Sequence, residues 1–396
     1  MRSFVDAPAF PELITAVRIA FYAPMKPVDH PVPSGDRRMA RLFVQALTTT
    51  GHQIQVASRF RSLDISGDIT RQERIRQTGK RVAERLVRRY EKQPATTVPQ
   101  VWFTYHLYHK APDWIGPRVS RLLGIPYLVA EASFAPSKVG GPWHMGATQS
   151  ACALSQANGI VSLNPRDVEC LQPHLSTAAQ QLLIPPFLEP LAVDPGEPNC
   201  RDTLAAEQSL DPAVPWMICV GMMRPGDKLT SYRVLADVLA VLGDLPWQLL
   251  VVGDGEASGT VRDFFRSIEP NRICFAGRLS AESLRRLLVA SDLFIWPAVK
   301  EAFGMAMLEA QQSGLPVVAG YSEGVATIVD DGVTGLLSRA GDADALARAA
   351  RHLLKDSAQR KRMGRNASDK AFRIHSLAGA AQQLNQFITE VTNACR

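Results

Sequence analysis

Short apolar runs alternate with helix-length amphipathic segments along most of the chain. In its first half the runs lie at 17–23, 52–58, 100–106, 126–132, 159–163 and 181–187. They are continuous rather than alternating, which is typical of strands that helices cover on both faces of a parallel sheet. Helix-length segments such as 36–50 and 112–123 separate them. The rhythm therefore predicts β–α–β units.

The same rhythm restarts after a proline-rich stretch, PPFLEPLAVDPGEPNC. Further apolar runs follow at 216–221, 247–253, 272–277, 292–297 and 315–320. We therefore expect an α/β chain of two Rossmann-like, doubly wound parallel-sheet domains, at 1–190 and 191–370. Ligands of such sheets bind beyond the carboxyl ends of the strands, so we expect the active site in a cleft that the two domains face.

The composition is that of an ordinary soluble protein. Of the 396 residues, 46% are hydrophobic and 21% are charged, and no apolar run reaches the length of a membrane-spanning helix. The start of the chain lacks a basic region followed by a sustained apolar core, so we expect a cytoplasmic protein. The six cysteines are scattered without zinc-ligand spacing, which predicts reduced, mostly buried thiols and no metal site.

Positive charge is concentrated in the first half of the chain. The formal net charge is +6, and residues 1–190 carry 22 Lys and Arg against 14 Asp and Glu. Most of the excess lies in 71–92, where Ile75, Leu86 and Tyr90 fall on one helical face. This segment predicts an amphipathic helix with a cationic outer side. Its outer side is either a solvated surface or a peripheral contact with an anionic membrane at the inner face.

Several common nucleotide and hydrolase motifs are missing. VVGDGEASG places Gly253 and Gly255 after a strand, but Gly259 falls one residue late for a dinucleotide fingerprint. The sequence contains no GxxxxGK[ST], GxSxG or HExxH pattern, which removes the usual reasons to propose a P-loop NTPase, an α/β-hydrolase or a zinc protease. The glycines predict only a tight turn between a strand and a helix.

The most informative stretch is KEAFGMAMLEAQQSGLPVVAG, residues 300–320. A strand ends before it at Pro297, and a helix follows that Gly314 stops. Gly304 falls at the turn, where free amides and the helix dipole favour a diphosphate. Glu301 precedes the helix, and Glu309 lies about 7 Å further along its axis. Both carboxylates can accept hydrogen bonds from paired hydroxyls, as in a nucleotide diphosphate sugar.

These motifs resemble the donor site of family 4 glycosyltransferases, retaining GT-B enzymes of the "glycosyl transferases group 1" type. Glu-x-Phe-Gly, MAMLEAQQSGLPVVAG and EGVATIVDDGVTGLL carry the resemblance. SGDRRMARLFVQAL is similar to the family's glycine-containing loop and first helix, and GMMRPGDK to its basic loop. The resemblance implies the GT-B fold and a C-terminal helix, at 371–396, that packs back on the first domain.

The resemblance also implies roles for individual residues. Glu301 would meet the donor sugar, while Arg224 and Lys228 would neutralise the diphosphate without a metal ion. Fixed cations at this point stabilise the charge that builds on the leaving group. The donor-binding residues would be Gly35, Arg278, Leu279, Phe303, Gly304, Met305, Leu308 and Glu309.

The implied reaction is transfer of a sugar from a UDP- or GDP-type donor to a hydroxyl group, with retained configuration. The acceptor is a glycan, a lipid-linked glycan or a small molecule. We expect no cofactor other than the nucleotide sugar as co-substrate, no metal and no nucleic-acid partner. We also expect a front-face mechanism, in which the leaving phosphate helps to deprotonate the acceptor hydroxyl.

The chain departs from the family's pattern on the acceptor side. Where many members have Thr-x-His, it has Glu131, Ala132 and Ser133. His106, at the end of a predicted strand, is the nearest replacement and becomes a catalytic candidate, although a lone histidine is also often structural. Two other interpretations remain open: a GT-B nucleotide-sugar epimerase, and a non-catalytic nucleotide-sugar-binding protein.

Overall fold

Apolar runs form the strands of two parallel sheets. The computed structural model describes residues 16–32, 34–190 and 200–395, without the side chain of Cys200. In this part of the chain the strands are β1 Arg18–Tyr22, β2 Gln53–Ser58, β3 Val101–Leu107, β4 Tyr127–Ala132, β5 Gly159–Ser162, β6 Gln180–Leu183, β7 Trp216–Val220, β8 Gln248–Val252, β9 Ile273–Gly277, β10 Leu293–Trp296, β11 Val317–Tyr321 and β12 Gly335–Arg339.

Helices connect these strands. They are α1 Gly35–Thr49, α2 Ile69–Glu91, α3 Gly116–Leu123, α4 His144–Ser155, α5 Pro165–Leu171, α6 Cys200–Gln208, α7 Asp227–Ala240, α8 Ser258–Phe264, α9 Ala281–Ala290, α10 Met305–Gln312, α11 Glu323–Ile328, α12 Ala343–Lys355, α13 Ser357–Ile374 and α14 Leu377–Ala394. Short 3₁₀ turns lie at Pro136–Lys138, Gln172–His174 and Pro270–Arg272.

The first sheet has the strand order β2-β1-β3-β4-β5-β6. Pairs β1–β2, β1–β3, β3–β4 and β4–β5 are parallel. The central strands are mostly buried, with Ile19 and Phe103 fully inaccessible, because helices cover both faces of the sheet.

The second sheet has the order β12-β11-β10-β7-β8-β9. Its pairs are parallel as well. Counted from β7, the order is 6-5-4-1-2-3, the doubly wound order of dinucleotide-binding domains. The predicted fold class of two Rossmann-like parallel sheets is confirmed.

The chain divides into two compact units. The first contains the described residues up to Ser162, Asp167–Leu182 and residues 381–395, and the second contains Leu163–Arg166 and Leu183–Ala380. Part of the predicted junction, residues 191–199, lies outside the described residues, as does 1–15 at the start of the predicted first domain.

Helix α2 coincides with the predicted amphipathic segment. The side chain of Asp68 caps its N-terminus by accepting a hydrogen bond from the Arg71 amide, 2.8 Å away. Leu86 and Tyr90 are buried in the core of the first unit, while most of the basic side chains of the helix are exposed. None of the helices in the described part of the chain is long and apolar enough to span a membrane.

Two sequence expectations fail in detail. β12 is absent from the predicted strands, because its sequence GLLSR is short and lies at a sheet edge where it is only partly buried. The expectation of mostly buried thiols is wrong. The structure describes five cysteines as free: Cys219 is buried, Cys274 is half-buried, and Cys152, Cys170 and Cys395 are exposed.

Candidate functional site

The strand order of the second sheet defines its binding edge. From β7 the chain moves one way to β8 and β9, then returns to place β10 on the other side of β7. The loops that follow β7 and β10 therefore separate at the carboxyl edge and leave a crevice, the position where ligands bind in doubly wound sheets. We call this place the second switch point.

The loop after β10 has a constrained backbone. Ala298 and Lys300 have φ angles of 53° and 50°, values in the left-handed region that L-residues seldom adopt. The Val299 amide donates a hydrogen bond to Ser231 Oγ at 3.1 Å, and the Glu301 amide donates to the Ala298 carbonyl at 3.2 Å. Contacts from α7 thus hold the loop in a conformation that presents Glu301.

Glu301 and Lys228 meet across the second switch point. Lys228 lies at the start of α7, after β7, and its Nζ forms an ion pair with Glu301 Oε2. Trp296 Nε1 donates a second hydrogen bond to the same oxygen at 3.1 Å. The ammonium also lies 5.1 Å from the centroid of the Trp296 ring, which adds a cation–π attraction. The side chains of Lys228 and Glu301 are 21% and 16% exposed, so the pair is partly open to a ligand.

The first turn of α10 begins next to this pair. Gly304 caps the helix with φ 80° and ψ 57°, and its carbonyl accepts from the Met307 amide at 2.7 Å. Phe303 and Met305 are half-buried around the turn. Because the first amides of a helix have no acceptor within the helix, this turn is suited to bind an anion.

Further along α10, two predicted residues differ in exposure. Leu308 is fully buried, so its side chain anchors the helix in the core of the second unit. Glu309 is half-buried one position later, and its carbonyl accepts from the Ser313 amide at 3.1 Å. Of these two, only Glu309 has an accessible side chain.

The remaining cationic candidates follow β7 and β9. Arg224 is exposed in the loop before α7. Arg278 is exposed and Leu279 is half-buried directly after β9, two strands away from β7 in the sheet. With strands about 4.8 Å apart, Arg278 begins about 10 Å to the side of the β7 end.

The glycines after β8 lie in close contact with the loop after β7. A Cβ on Gly253 would lie 1.9 Å from the Gly221 carbonyl oxygen, and one on Gly255 would lie 2.2 Å from the Met223 oxygen. The Met223 amide also donates to the Asp254 carbonyl at 3.0 Å. These glycines allow the loop after β7 to pack on the loop after β8, a role that the sequence motif did not reveal.

The first sheet has its own switch point, between β1 and β3. Asp36 lies in the first turn of α1, after β1, and His106 lies near the end of β3. Their side chains meet, with 2.6 Å between His106 Nδ1 and Asp36 Oδ1. Gly35 precedes Asp36, and a Cβ added to it would meet no atom of the described residues within 4 Å. We call this place the first switch point.

His106 has an unusual conformation and environment. Its φ is 65°, and Glu131 on the neighbouring strand β4 has a φ of 55°. Burial alone would lower the pKa of the imidazole, but the hydrogen bond to Asp36 and the charges of Asp36, Glu131 and Asp167 together raise it above its usual value. Asp36 was not predicted from the sequence, although its place after the Ser34 cap at the first helix start was a signal.

The described residues contain no cluster of three or more His, Cys, Asp or Glu side chains that could hold a metal ion. The described residues at the two switch points provide ion pairs, helix amides and an imidazole. The structure places Glu301, Lys228, Phe303, Gly304 and Met305 around the second switch point. Gly35 and His106 lie at the first.

Comparison with known proteins finds a family match within the second unit. Residues 229–370 match the family of glycosyl transferases group 1. The D-inositol 3-phosphate glycosyltransferase of Nocardia farcinica is 32% identical over 191 residues, 46% of this chain and 41% of that protein. The N-acetyl-alpha-D-glucosaminyl L-malate synthase of Bacillus anthracis is 30% identical over 133 residues, 33% of this chain and 34% of that protein. The matches thus span less than half the length of these relatives.

Solved structures resemble the chain over nearly its whole length. A sucrose-phosphate synthase from Thermosynechococcus elongatus has a TM-score of 0.71 at 19% identity, with 96% of this chain and 100% of that chain covered. Anabaena Alr3699/HepE in complex with UDP-glucose has a TM-score of 0.68 at 16% identity, with 94% and 100% covered. The predicted GT-B fold is confirmed. Residues 229–370 are therefore similar to group 1 glycosyltransferases.

Proposed function

We propose that the protein is a glycosyltransferase that moves a sugar from a nucleotide diphosphate sugar to an acceptor hydroxyl. The observation that carries this proposal is the Lys228–Glu301 ion pair at the second switch point, next to the open first turn of α10. The match of residues 229–370 to group 1 glycosyltransferases supports it. The UDP-glucose complex of the structurally similar Anabaena protein makes a UDP-sugar the first donor to test.

In this proposal the diphosphate binds between Lys228 and the α10 amides, with Arg224 reaching it from the preceding loop. Lys228 then bridges the diphosphate and Glu301, so the ion pair seen without ligand becomes part of the donor site. The negative charge on the diphosphate grows as the anomeric bond breaks, and fixed positive groups stabilise it most at that point.

Glu301 is suited to bind the donor sugar. Trp296 Nε1 already donates to one of its oxygens, and a carboxylate has further lone pairs for sugar hydroxyls. Glu309, half-buried further along α10, is proposed to bind the ribose hydroxyls. Retention of configuration and the front-face route remain part of the proposal, in which Glu301 binds hydroxyls of the donor sugar and does not attack its anomeric carbon. Trapping a covalent glycosyl–Glu301 intermediate would contradict the front-face route.

The direct test is incubation of the purified protein with UDP-, GDP- and ADP-sugars, followed by separation of nucleotides and sugars. We expect release of the nucleoside diphosphate, with transfer once a suitable acceptor is present. Interconversion of sugars without nucleotide release would indicate an epimerase, and binding without turnover would indicate a silent binding protein. We expect the same rate with a chelator as with added Mg²⁺, since Lys228, Arg224 and helix amides take the charge. A chelator-sensitive rate would contradict that assignment.

Helix α2 supports a peripheral membrane contact for an acceptor carried on a lipid. Its exposed side is basic, and Ile65 and Ile69 near its start are 74% and 62% exposed. Such a face binds anionic headgroups while its apolar residues enter the interface. Co-sedimentation with anionic vesicles, compared with neutral vesicles, tests this contact. Equal and negligible binding to both would leave α2 as a solvated surface.

A further inference from the structure

The sequence predicted His106 as a catalytic candidate but did not predict its pairing with Asp36. Asp36 comes from the start of α1 and His106 from the end of β3, so the pair joins the two strands' loops across the first switch point. The side chains are 12% and 27% exposed. Gly35, one residue before Asp36, borders open space.

The hydrogen bond determines which ring nitrogen can meet a ligand. Asp36 Oδ1 accepts from Nδ1 of His106 at 2.6 Å. A carboxylate at Nδ1 favours the tautomer that carries its proton there, which leaves a lone pair on Nε2 of the neutral ring. The imidazole can then accept a hydrogen bond from a hydroxyl.

The backbone holds the ring in this orientation at a cost. His106 and Glu131 both have left-handed φ angles. The register pairs Tyr105 with Ala130 and Leu107 with Ala132 on either side of them. The two strands therefore depart from regular β conformation at the same level of the sheet. Left-handed residues other than glycine persist only where the surrounding structure holds them, and they concentrate at functional sites.

Charged and titratable groups face His106 from several elements. They are Asp36 on α1, Glu131 on β4 and Asp167 on α5, and Tyr105 and Tyr108 contact the ring edge at 5.9 and 5.1 Å between centroids. The carboxylates favour the imidazolium, which cannot accept a hydrogen bond at Nε2. The capacity of Nε2 to accept a hydrogen bond therefore depends on pH.

We propose that Asp36 is a positioning residue that fixes His106 so that the neutral imidazole accepts a hydrogen bond from the acceptor's nucleophilic hydroxyl at Nε2. This inference rests on the proposed transfer reaction. His106 thereby orients the hydroxyl oxygen for attack. The new C–O bond forms as the bond to the diphosphate breaks, the electron pair leaves with the diphosphate, and the hydroxyl proton passes by way of His106 Nε2 to the released diphosphate.

The test compares Asp36→Asn, Asp36→Glu and the wild type in transfer and in donor hydrolysis across pH 5.5 to 8.5. The side-chain amide that Asp36→Asn introduces can donate to Nδ1 and so move the ring proton to Nε2, where it blocks the hydroxyl. We expect Asp36→Asn to lower transfer about 10- to 100-fold, the usual effect of losing such an orienting partner. We also expect the acid limb of its pH–rate profile at lower pH, a donor KM close to that of the wild type, and partial rescue by Asp36→Glu.

Asp237→Asn, an exposed position on α7, is the matched control and should behave as wild type. An Asp36→Asn variant with normal transfer and an unmoved acid limb would overturn the inference. A wild type that turns over no nucleotide sugar would instead defeat the proposed function. In that case ¹⁵N NMR of the His106 ring still decides the positioning role, since a proton found on Nε2 in the neutral wild-type ring would contradict it.

Discussion

The two switch points are built alike and charged differently. Each joins a group after the first strand of its sheet to a group at the carboxyl end of the strand that returns beside it. In the second unit the pair is Lys228 with Glu301, opposite full charges. In the first unit it is Asp36 with His106, a carboxylate with a titratable ring.

The difference matches what each half is proposed to bind. A nucleotide diphosphate carries fixed negative charge, so a lysine with a carboxylate partner and an open helix start suits it. A hydroxyl acceptor is neutral and needs a hydrogen-bond acceptor in a defined orientation, which an imidazole held by a carboxylate provides. In the proposed function, the same crevice in two sheets binds different ligands through different pairs.

The largest effects are expected at the second switch point. Lys228→Ala and Glu301→Gln should each lower kcat/KM for transfer about 100- to 1000-fold, because each removes a group that acts on the breaking bond. The double variant should lose much less than the product of the two losses, since the side chains act as a pair. Steady-state kinetics of the wild type, the two single variants and the double variant measure this coupling.

Lys355→Ala, an exposed change on α12, is the control for a lost lysine and should leave the rate unchanged. Fully multiplicative losses in the double variant would show that Lys228 and Glu301 act independently. Thermal unfolding of each variant separates lost chemistry from lost stability.

His106→Gln should lower transfer by about 100-fold, within the range for residues that act in general acid–base catalysis. Since the imidazole pKa lies above its usual value and the neutral ring is the active form, wild-type transfer should rise with pH through that raised pKa. His106→Gln should lose this acid limb and keep the donor KM. Retention of the limb would place the titrating group elsewhere.

Gly35→Ala should lower transfer about tenfold without destabilising the protein. Its Cβ would meet no described atom within 4 Å, and alanine in a helix is favoured over glycine by about 0.5–1 kcal/mol. A loss of activity would therefore report a ligand in that space. Gly243→Ala, whose Cβ would lie 3.9 Å from the Ala240 oxygen, is the control. Full activity of Gly35→Ala would remove Gly35 from the site.

The smallest effect is expected at Arg224. Because it is exposed, its interaction with a diphosphate is screened by solvent and salt. Arg224→Ala should raise the donor KM about three- to tenfold at low ionic strength, with a smaller ratio at higher salt. A loss as large as that of Lys228→Ala would make Arg224 an equal partner at the diphosphate.

Much of the fold and part of the site could be predicted from local sequence. Each of the eleven apolar runs overlaps a strand, because continuous apolar segments between amphipathic ones are typical of the strands of a parallel sheet. Glu301, Gly304 and Lys228 could be predicted as site residues because their chemistry is tied to a strand-to-helix turn. Asp36 was missed because an acidic residue in the first turn of a helix is ordinary, and only its partner makes it distinctive.

The sequence by itself determined the strands and helices, the turn at Gly304 and the residue types available for a nucleotide sugar. The tertiary structure decided which of these residues meet. Lys228 and Glu301 are 73 positions apart, and Asp36 and His106 are 70 apart. Local patterns depend on neighbours within a few residues, whereas such pairs depend on strand order. The crossover connections of the whole sheet determine that order.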